Sequence, residues 1–160
     1  MPYTMEQIQT EGALCFENVV YGMKHYAHRI ESYSAQKAEE ALRNMWISKS
    51  THRAYVDFYY YILEEDARAA VDSVLTKEEQ AYLAKKKEKL FSEITIEEMK
   101  KRKAVVFPLD EQLLKIAVKL NEKEMLFSTF YFVGNETSTW WGNYNREYIV
   151  FTQFPLQSLQ

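Results

Sequence analysis

Histidines are the first residues to examine for chemistry, because their side chains bind metals and transfer protons near neutral pH. The sequence contains three of them, His25, His28 and His52. His25 and His28 are three residues apart, so on a helix they would share one face and could bind a metal ion with Glu64 or Glu65. The alternative is that both rings lie on a polar surface stripe of that helix. The Glu-x-x-His pairs of helical di-iron proteins do not occur here, so we favour the surface stripe and predict no metal site.

Nucleophilic and acid–base catalysis also have few candidates. Cys15 is the single cysteine, and its neighbours Phe16 and Val19 place it in an apolar stripe, where a buried thiol is inert. The acidic run at 64–66 points its carboxylates in different directions around a helix, so we expect solvation and an ion pair to Arg68. The chain also lacks the clustered glycines of a phosphate-binding loop. We therefore expect no catalytic residue, no cofactor and a protein that is not an enzyme.

Basic residues are concentrated between positions 85 and 103. Eight basic side chains face four acidic ones there, which leaves a local excess of four positive charges. A basic patch with exposed aromatic residues would suit nucleic acid, whereas a solvated helix surface of mixed charge is the simpler interpretation, and we favour it. The basic residues are Lys85, Lys86, Lys87, Lys89, Lys100, Lys101, Arg102 and Lys103.

Aromatic residues cluster around a predicted turn near the C-terminus and form the main candidate for a partner surface: Trp140, Trp141, Tyr144 and Tyr148. Adjacent residues on a strand face opposite ways, so one tryptophan can enter the core while the other reaches the surface. An exposed tryptophan beside tyrosines has the composition of a binding hot spot. The alternative, which the composition fits equally well, is an edge that packs against a helix.

A second candidate site is a pocket between the helices and the sheet. Its lining would be Tyr59, Tyr60, Tyr61 and Trp141. Tyrosine hydroxyls in an otherwise apolar pocket would orient a small ligand.

The element expected to organise the fold is one long helix over 51–75. Apolar residues such as Val56 and Tyr60 recur at three- and four-residue steps and cover more than half of its circumference. Asp57 and Tyr61 fall on the remaining face, which we expect to be solvated.

Capping signals predict other helix starts at Thr4, Thr76 and Thr95, because each threonine is followed three residues later by Gln or Glu. The helix that begins at Thr4 would either stop near 32–34 and restart or continue unbroken to about Ile47, and we favour two helices.

The pattern changes in the last third of the chain. Apolar and other residues alternate over 112–120, which predicts a strand, and a helix through the same residues is the alternative. Val105 and Val106 could add an edge strand, where the missing N–H of Pro108 is tolerated. Three more runs predict strands that short turns join in antiparallel pairs. These runs are 125–133, 137–141 and 147–153.

The predicted fold is therefore α+β. About four to five N-terminal helices, over about 4–103, would pack on a C-terminal antiparallel β-meander of three to four strands, over about 105–154. A length of 160 residues without a long linker predicts one domain, 1–160.

Composition and charge point to a globular cytoplasmic protein. A hydrophobic fraction of 47% argues against disorder, and a net charge of −3 provides no general attraction to nucleic acid. The N-terminus lacks a signal-peptide pattern, and no stretch approaches the roughly 18 apolar residues of a membrane span. We expect a cytoplasmic location and no membrane contact.

The last third of the chain also resembles a known family. The segments TSTWWGNYNREYIVF, KIAVKL and FSTFYFV are similar to the C-terminal part of a family of small proteins from Bacillus-type bacteria, the YpuI type. The resemblance implies a bacterial cytosolic origin. That family has no established activity, so the resemblance implies no site residues.

These observations favour a non-enzymatic intracellular protein that acts through protein–protein contact or regulation. The partner would be an unknown protein or a second copy in a homodimer. The alternatives are a small-ligand-binding protein or enzyme with a pocket between helices and sheet, and nucleic-acid binding through the basic stretch.

Overall fold

One antiparallel sheet of six strands runs through the computed structural model, which describes residues 1–155 of the 160. The strands are β1 (Tyr26–Ser32), β2 (Thr51–Asp57), β3 (Val106–Pro108), β4 (Thr129–Gly134), β5 (Ser138–Gly142) and β6 (Glu147–Pro155). Across the sheet they lie in the order β1-β6-β5-β4-β2-β3, so β1 and β3 are its two edges.

Seven α-helices occur within the described residues, together with a short 3-10 turn at Tyr60–Ile62. The helices are α1 (Met5–Thr10), α2 (Val19–His25), α3 (Ala35–Ile47), α4 (Glu65–Asp72), α5 (Lys77–Glu93), α6 (Ile96–Arg102) and α7 (Glu111–Glu122). Among these residues, no helix combines the length and apolar character that crossing a membrane requires.

Local capping starts three of the helices where the sequence predicts them. The Thr4 hydroxyl accepts the N–H of Gln7, and the Gln7 side chain accepts the N–H of Thr4. Thr76 and Glu79 form the same reciprocal box at the start of α5. Thr95 caps α6 through its side chain. These three predictions are confirmed, because each depends only on residues within one turn of helix.

The predicted arrangement of helices and strands is wrong. The protein is α+β, but β1 and β2 lie inside the segment predicted to be helical, and α7 lies inside the segment predicted to form strands. Helices and strands are interleaved along the chain. The sheet has six strands, and apolar residues lie on both of its faces. Both faces must therefore pack against other segments, and both halves of the chain contribute strands and packing segments.

The predicted central helix over 51–75 does not form. The segment instead contains β2, the 3-10 turn and the short helix α4. Ala54 and Val56 pack on one face of the sheet and Tyr55 on the other, while Asp57 and Tyr61, predicted to be solvated, are buried. A strand that is buried on both faces has no alternation of apolar and polar residues, so its sequence resembles the wide apolar stripe of a helix.

The segment 112–120 is helical rather than extended, so the strand prediction is wrong and its alternative is confirmed. Asp110 caps α7 by accepting the N–H of Leu113 at 2.8 Å. Seven of the 12 residues of α7 are buried, including Leu114, Ile116, Val118 and Leu120. Because α7 is buried around much of its circumference, its apolar residues do not follow a narrow helical stripe. Their alternation with other residues resembles that of a strand with one buried face.

The N-terminal segment also differs from its prediction. In place of one long helix, the chain forms α1, then α2, and then enters β1. Gly12 lies between α1 and α2 with a φ of 108°. Glycine adopts this positive φ without steric cost, and the chain can therefore turn after α1. The predicted restart of a helix near 32–34 is confirmed, since Ser34 caps α3 by accepting the N–H of Lys37. The predicted stop of a helix there is wrong, because α2 already ends at His25 and the element that ends at Ser32 is the strand β1.

The C-terminal strands follow their prediction closely. β4, β5 and β6 form the predicted antiparallel meander, with Phe130 opposite Trp140 and Trp140 opposite Val150. The expected edge strand that contains Pro108 is β3, which pairs with β2. The aromatic and β-branched residues of these strands favour extended structure in any context.

Two layers cover the sheet. On one face, Val56, Phe132 and Trp140 belong to the main core together with α7 residues such as Leu114 and Val118. On the other face, the N-terminal segment forms two smaller clusters: Ile8 packs with Tyr55, Tyr131 and Val133, and Phe16 packs with Ile149 and Phe151. The second layer leaves part of β1 and α2 facing solvent.

Candidate functional site

The outer edge of β1 is the clearest unpartnered feature of the sheet. β1 pairs with β6 on one side, and no other strand of residues 1–155 pairs with it. Tyr33 N donates to Arg146 O at 3.0 Å just beyond β1, and from Ser32 back to His28 the register continues without a bulge. Because backbone groups alternate in direction along an antiparallel pair, Arg29 and Glu31 face β6 with their N–H and C=O. His28, Ile30 and Ser32 direct these groups outward.

The other edge of the sheet is protected. Tyr3 N donates to Val106 O at 2.7 Å, and Val106 N donates to Tyr3 O at 3.0 Å, so the N-terminal segment covers β3. Pro108 ends that strand without an N–H to offer. Short edges, proline and a covering segment are the usual protections against edge-to-edge pairing, and they occur at β3. β1 is longer, with seven residues.

The side chains of β1 divide between the two faces of the strand. On the helical face, the Arg29 guanidinium lies 5.9 Å from the centre of the Trp140 ring, and its Nε is 2.8 Å from Oε1 of Glu31. On the opposite face, Ile30 is 54% exposed. The adjoining helix α2 packs against this same face and leaves Val20 and Tyr21 55% and 49% exposed. We refer to Val20, Tyr21 and the outer edge of residues 28–32 as the β1 surface.

Helix α2 can lie close to the sheet because of a glycine. Gly22 is buried, and a Cβ atom at this position would come within 2.6 Å of the Phe16 ring and 2.8 Å of the Phe151 ring. The inward side of α2 is therefore in direct contact with the sheet layer, and its apolar residues Val20 and Tyr21 are on the outward side.

The predicted aromatic partner surface is divided by the fold. Trp140 and Tyr148 are buried in the main core, because they project to the helical face of β5 and β6. Trp141 projects to the other face, where it is partly buried and its ring stacks on Phe16 at 5.9 Å. Tyr144 is 60% exposed in the turn between the two strands. The four side chains therefore do not form one exposed surface.

The histidines lie on separate elements. His25 ends α2 and its ring is 4.2 Å from that of Tyr21, whereas His28 is in β1 with Nδ1 2.9 Å from Tyr26 O. His52 is exposed in β2. In the described part of the chain, no three His, Cys, Asp or Glu side chains are grouped to hold a metal ion.

Asp57 is a titratable group that sequence reasoning placed on a solvated face. It is buried at the end of β2, where one carboxylate oxygen accepts the N–H of Thr129 at 2.7 Å, and burial raises its pKa to about 7. The signal for Asp57 would have been the apolar residues on both sides of it.

Burial, and the negative charge of Asp57, raise the pKa of the Cys15 thiol and of Tyr59 to about 12. A raised pKa disfavours the thiolate form of Cys15 near neutral pH. Cys15 packs against the cluster of Ile8 and Tyr131, whereas Phe16, its predicted neighbour, belongs to the other cluster on this face.

The basic residues of 85–103 are distributed over α5, α6 and the left-handed residue Lys103 that ends α6. Lys86 is partly buried, with its Nζ 5.0 Å from the centre of the Phe107 ring, and burial lowers its pKa. Lys100 approaches Glu64 at 3.9 Å. The last turn of α6 carries Lys100, Lys101 and Arg102, where the helix dipole favours cations.

A concave site lies between the 3-10 turn, α4 and α5, with a volume of about 470 Å³. We call it the α4–α5 groove. Tyr60 and Tyr61, two of the residues predicted to line a pocket, are part of its wall, whereas Tyr59 and Trp141 are not. The Tyr60 hydroxyl donates to Asp72 at 2.6 Å, and the Tyr61 hydroxyl donates to Leu83 O at 2.8 Å. The groove is therefore formed mainly by helices rather than between helices and sheet.

Comparison of this chain with protein-family models, with curated proteins and with solved structures finds no match.

Proposed function

We propose that this protein acts through protein–protein contact, and that its contact surface is the β1 surface, occupied by a second copy of the chain. The observation that carries the proposal is the free edge of β1 at the end of a sheet whose other edge is covered. Outward N–H and C=O groups on such a strand are a template for pairing with another strand. Pairing of two β1 strands would extend one sheet through both copies.

Charge complementarity supports a second copy as the occupant. If two β1 strands pair in antiparallel fashion around a two-fold axis at Ile30, Arg29 of each copy lies opposite Glu31 of the other. In the same register the outward groups of His28 face those of Ser32. A shift that centres the axis on Arg29 or on Glu31 places like charges opposite each other, which is destabilising. The sequence of the strand is thus complementary to itself in one register.

Apolar exposure supports the same arrangement. Ile30 lies on the axis and would meet Ile30 of the second copy on the face of the sheet that α2 covers. Val20 and Tyr21 project from α2 on that face. Burial of exposed apolar side chains gives a dimer a favourable free energy that charges alone do not supply at a solvated edge.

A cytoplasmic location belongs to the proposal. Its support is that the chain has a single cysteine and so forms no intrachain disulfide, as is usual in a reducing compartment.

The test is the mass in solution of the purified protein by size exclusion with light scattering over a wide range of concentrations. We expect a dimer that dissociates on dilution, and a dimer Kd that rises by about tenfold or more in Arg29→Glu, because two like-charge pairs replace two attractive ones. The double variant Arg29→Glu/Glu31→Arg should restore the dimer. Lys85→Glu, an exposed charge reversal on α5, is the matched control.

A monomer at every concentration would overturn the proposal, and so would a dimer whose Kd is the same in Arg29→Glu as in Lys85→Glu. Thermal unfolding of each variant shows whether the monomer itself is intact. The Arg29–Glu31 pair is exposed, and pairs of this kind contribute about 1 kcal/mol or less, so the fold should survive both changes.

A further inference from the structure

Three cations surround the α4–α5 groove. Arg68 comes from α4, and Lys77 and Lys87 come from α5. Among residues 1–155, none of the three has a carboxylate within salt-bridge distance. The lining includes one acidic residue, Asp72, and its carboxylate accepts the hydroxyl of Tyr60 at 2.6 Å. The groove therefore carries a local positive charge on a chain whose net charge is −3.

Aromatic side chains supply the apolar part of the same groove. Phe91 is partly buried at its wall, with the Lys87 ammonium 5.8 Å from the centre of its ring. Tyr60 and Tyr61 are buried, with ring centres 5.1 Å apart in an edge-to-face arrangement. Both hydroxyls are already bonded, to Asp72 and to Leu83 O, so these two residues form a fixed floor. The site thus combines a fixed aromatic surface with three cationic side chains in its lining.

The polar side chains of the groove are held in part by the backbone. Gln80 donates to the carbonyls of Asp72 at 3.0 Å and Leu75 at 3.2 Å, which ties the start of α5 to the end of α4. Arg68 reaches the carbonyl of Leu63 at 3.4 Å with one nitrogen, so its remaining N–H groups are open to a ligand. Fixed walls lower the entropic cost of binding.

We propose that the α4–α5 groove binds a small organic anion that carries a planar ring, of the class of nucleoside monophosphates and aryl phosphates. A volume of about 470 Å³ lies within the range of small-molecule sites. Arg68 and Lys77 would bind the phosphate, Arg68 through two N–H groups, and the ring would pack on Phe91 beside the Lys87 ammonium. No covalent step is involved.

The groove is independent of the β1 surface. Its floor residue Tyr61 contacts Phe107 of β3, with ring centres 6.2 Å apart, so the groove lies toward the edge of the sheet that is opposite to β1. Failure of one proposal therefore leaves the other unaffected.

The test is titration of the full chain with adenosine 5′-monophosphate and with phenyl phosphate, followed by heteronuclear NMR and calorimetry. Adenosine and inorganic phosphate are the matched probes that lack the anion or the ring. We expect both phosphate esters to bind and to shift the amide signals of α4 and α5, and we expect adenosine and inorganic phosphate to bind at least about tenfold more weakly.

Variants locate the site. Arg68→Gln/Lys77→Gln should weaken binding of both esters by about tenfold or more, because it removes the charge-assisted hydrogen bonds to the phosphate. Lys85→Gln, which removes one exposed charge from α5 outside the groove, should leave the affinity unchanged. The proposal is overturned by no binding at millimolar ester, by equal affinity for inorganic phosphate or adenosine, or by equal effects of the groove and control variants. Thermal unfolding shows whether each variant is folded.

Discussion

Arg29 and Glu31 lie two positions apart on the same face of β1, with Nε of the arginine 2.8 Å from Oε1 of the glutamate. They flank Ile30, whose side chain is on the other face and whose backbone groups point away from the sheet. Opposite charges on either side of a central residue make an antiparallel copy of the strand complementary in one register. Charges on an edge strand can also serve to discourage pairing, and the next experiment separates these two roles.

Two single charge reversals should dimerise with each other more strongly than either does with itself. Arg29→Glu leaves two acidic residues on its edge and Glu31→Arg leaves two basic residues, so each homodimer is repulsive and the mixed dimer has two attractive pairs. Mixing the two variants, one of them carrying a mass tag, and measuring species by native mass spectrometry should show mainly the mixed dimer. The ion pair within each chain stays broken in the mixture, so a gain on mixing can come only from contact between chains.

Stability should depend on pH through Asp57. Burial raises the pKa of this carboxyl from 3.8 to about 7, so between these values the folded chain holds a proton that the unfolded chain has released. The free energy of unfolding that Asp57 contributes therefore falls as pH rises from about 4 to about 7, by up to a few kcal/mol, and is constant above that.

The measurement is urea unfolding of the natural chain and of Asp57→Asn at pH 5 and pH 8. Asparagine keeps an oxygen that can accept the Thr129 N–H but has no proton to lose. We expect the variant to gain stability relative to the natural chain by about 1–3 kcal/mol on going from pH 5 to pH 8. Parallel pH profiles of the two proteins would contradict the raised pKa of Asp57.

Binding in the α4–α5 groove also predicts one substitution that should raise the affinity for adenosine 5′-monophosphate. Asp72 is the acidic member of its lining, so Asp72→Asn should tighten binding of adenosine 5′-monophosphate by about threefold to tenfold, because it removes repulsion of the phosphate. The amide oxygen can still accept the Tyr60 hydroxyl. Calorimetry at low and at moderate salt checks this, and the gain should shrink as salt screens the charge. Unchanged affinity at low salt would place the phosphate elsewhere.

A buried amide links α7 to the sheet. Asn121 accepts the N–H of Ser128 at 2.8 Å and donates to the hydroxyl of Tyr148 at 3.0 Å. Asn121→Ala would leave both partners buried without a hydrogen bond, which should cost about 2–4 kcal/mol in the free energy of unfolding. Gln112→Ala changes an exposed residue of the same helix and should alter stability by less than about 0.5 kcal/mol. Chemical unfolding measures both, and equal values would show that the amide contributes no specific bonding.

The sequence predicted part of the lining of the α4–α5 groove but not the β1 surface. The predicted pocket between helices and sheet is not the α4–α5 groove, although two of its four predicted residues, Tyr60 and Tyr61, belong to the groove wall. Lys87 was predicted only as part of the basic stretch 85–103, and Arg68 and Lys77 were not predicted, since the three cations come together only through the packing of α4 and α5. The exposure of the β1 edge depends on which strand lies last in the sheet, and no local pattern in 26–32 contains that information.

By itself, the sequence determined what depends on neighbours within a few residues: the capping boxes at Thr4 and Thr76, and the strands β4 to β6 with their short turns. Only the tertiary structure decided that Val56 belongs to a strand and Ile116 to a helix. Both residues lie in segments that are largely buried. In such segments the spacing of apolar residues no longer distinguishes a helix from a strand, because the layers on either side bury side chains on every face.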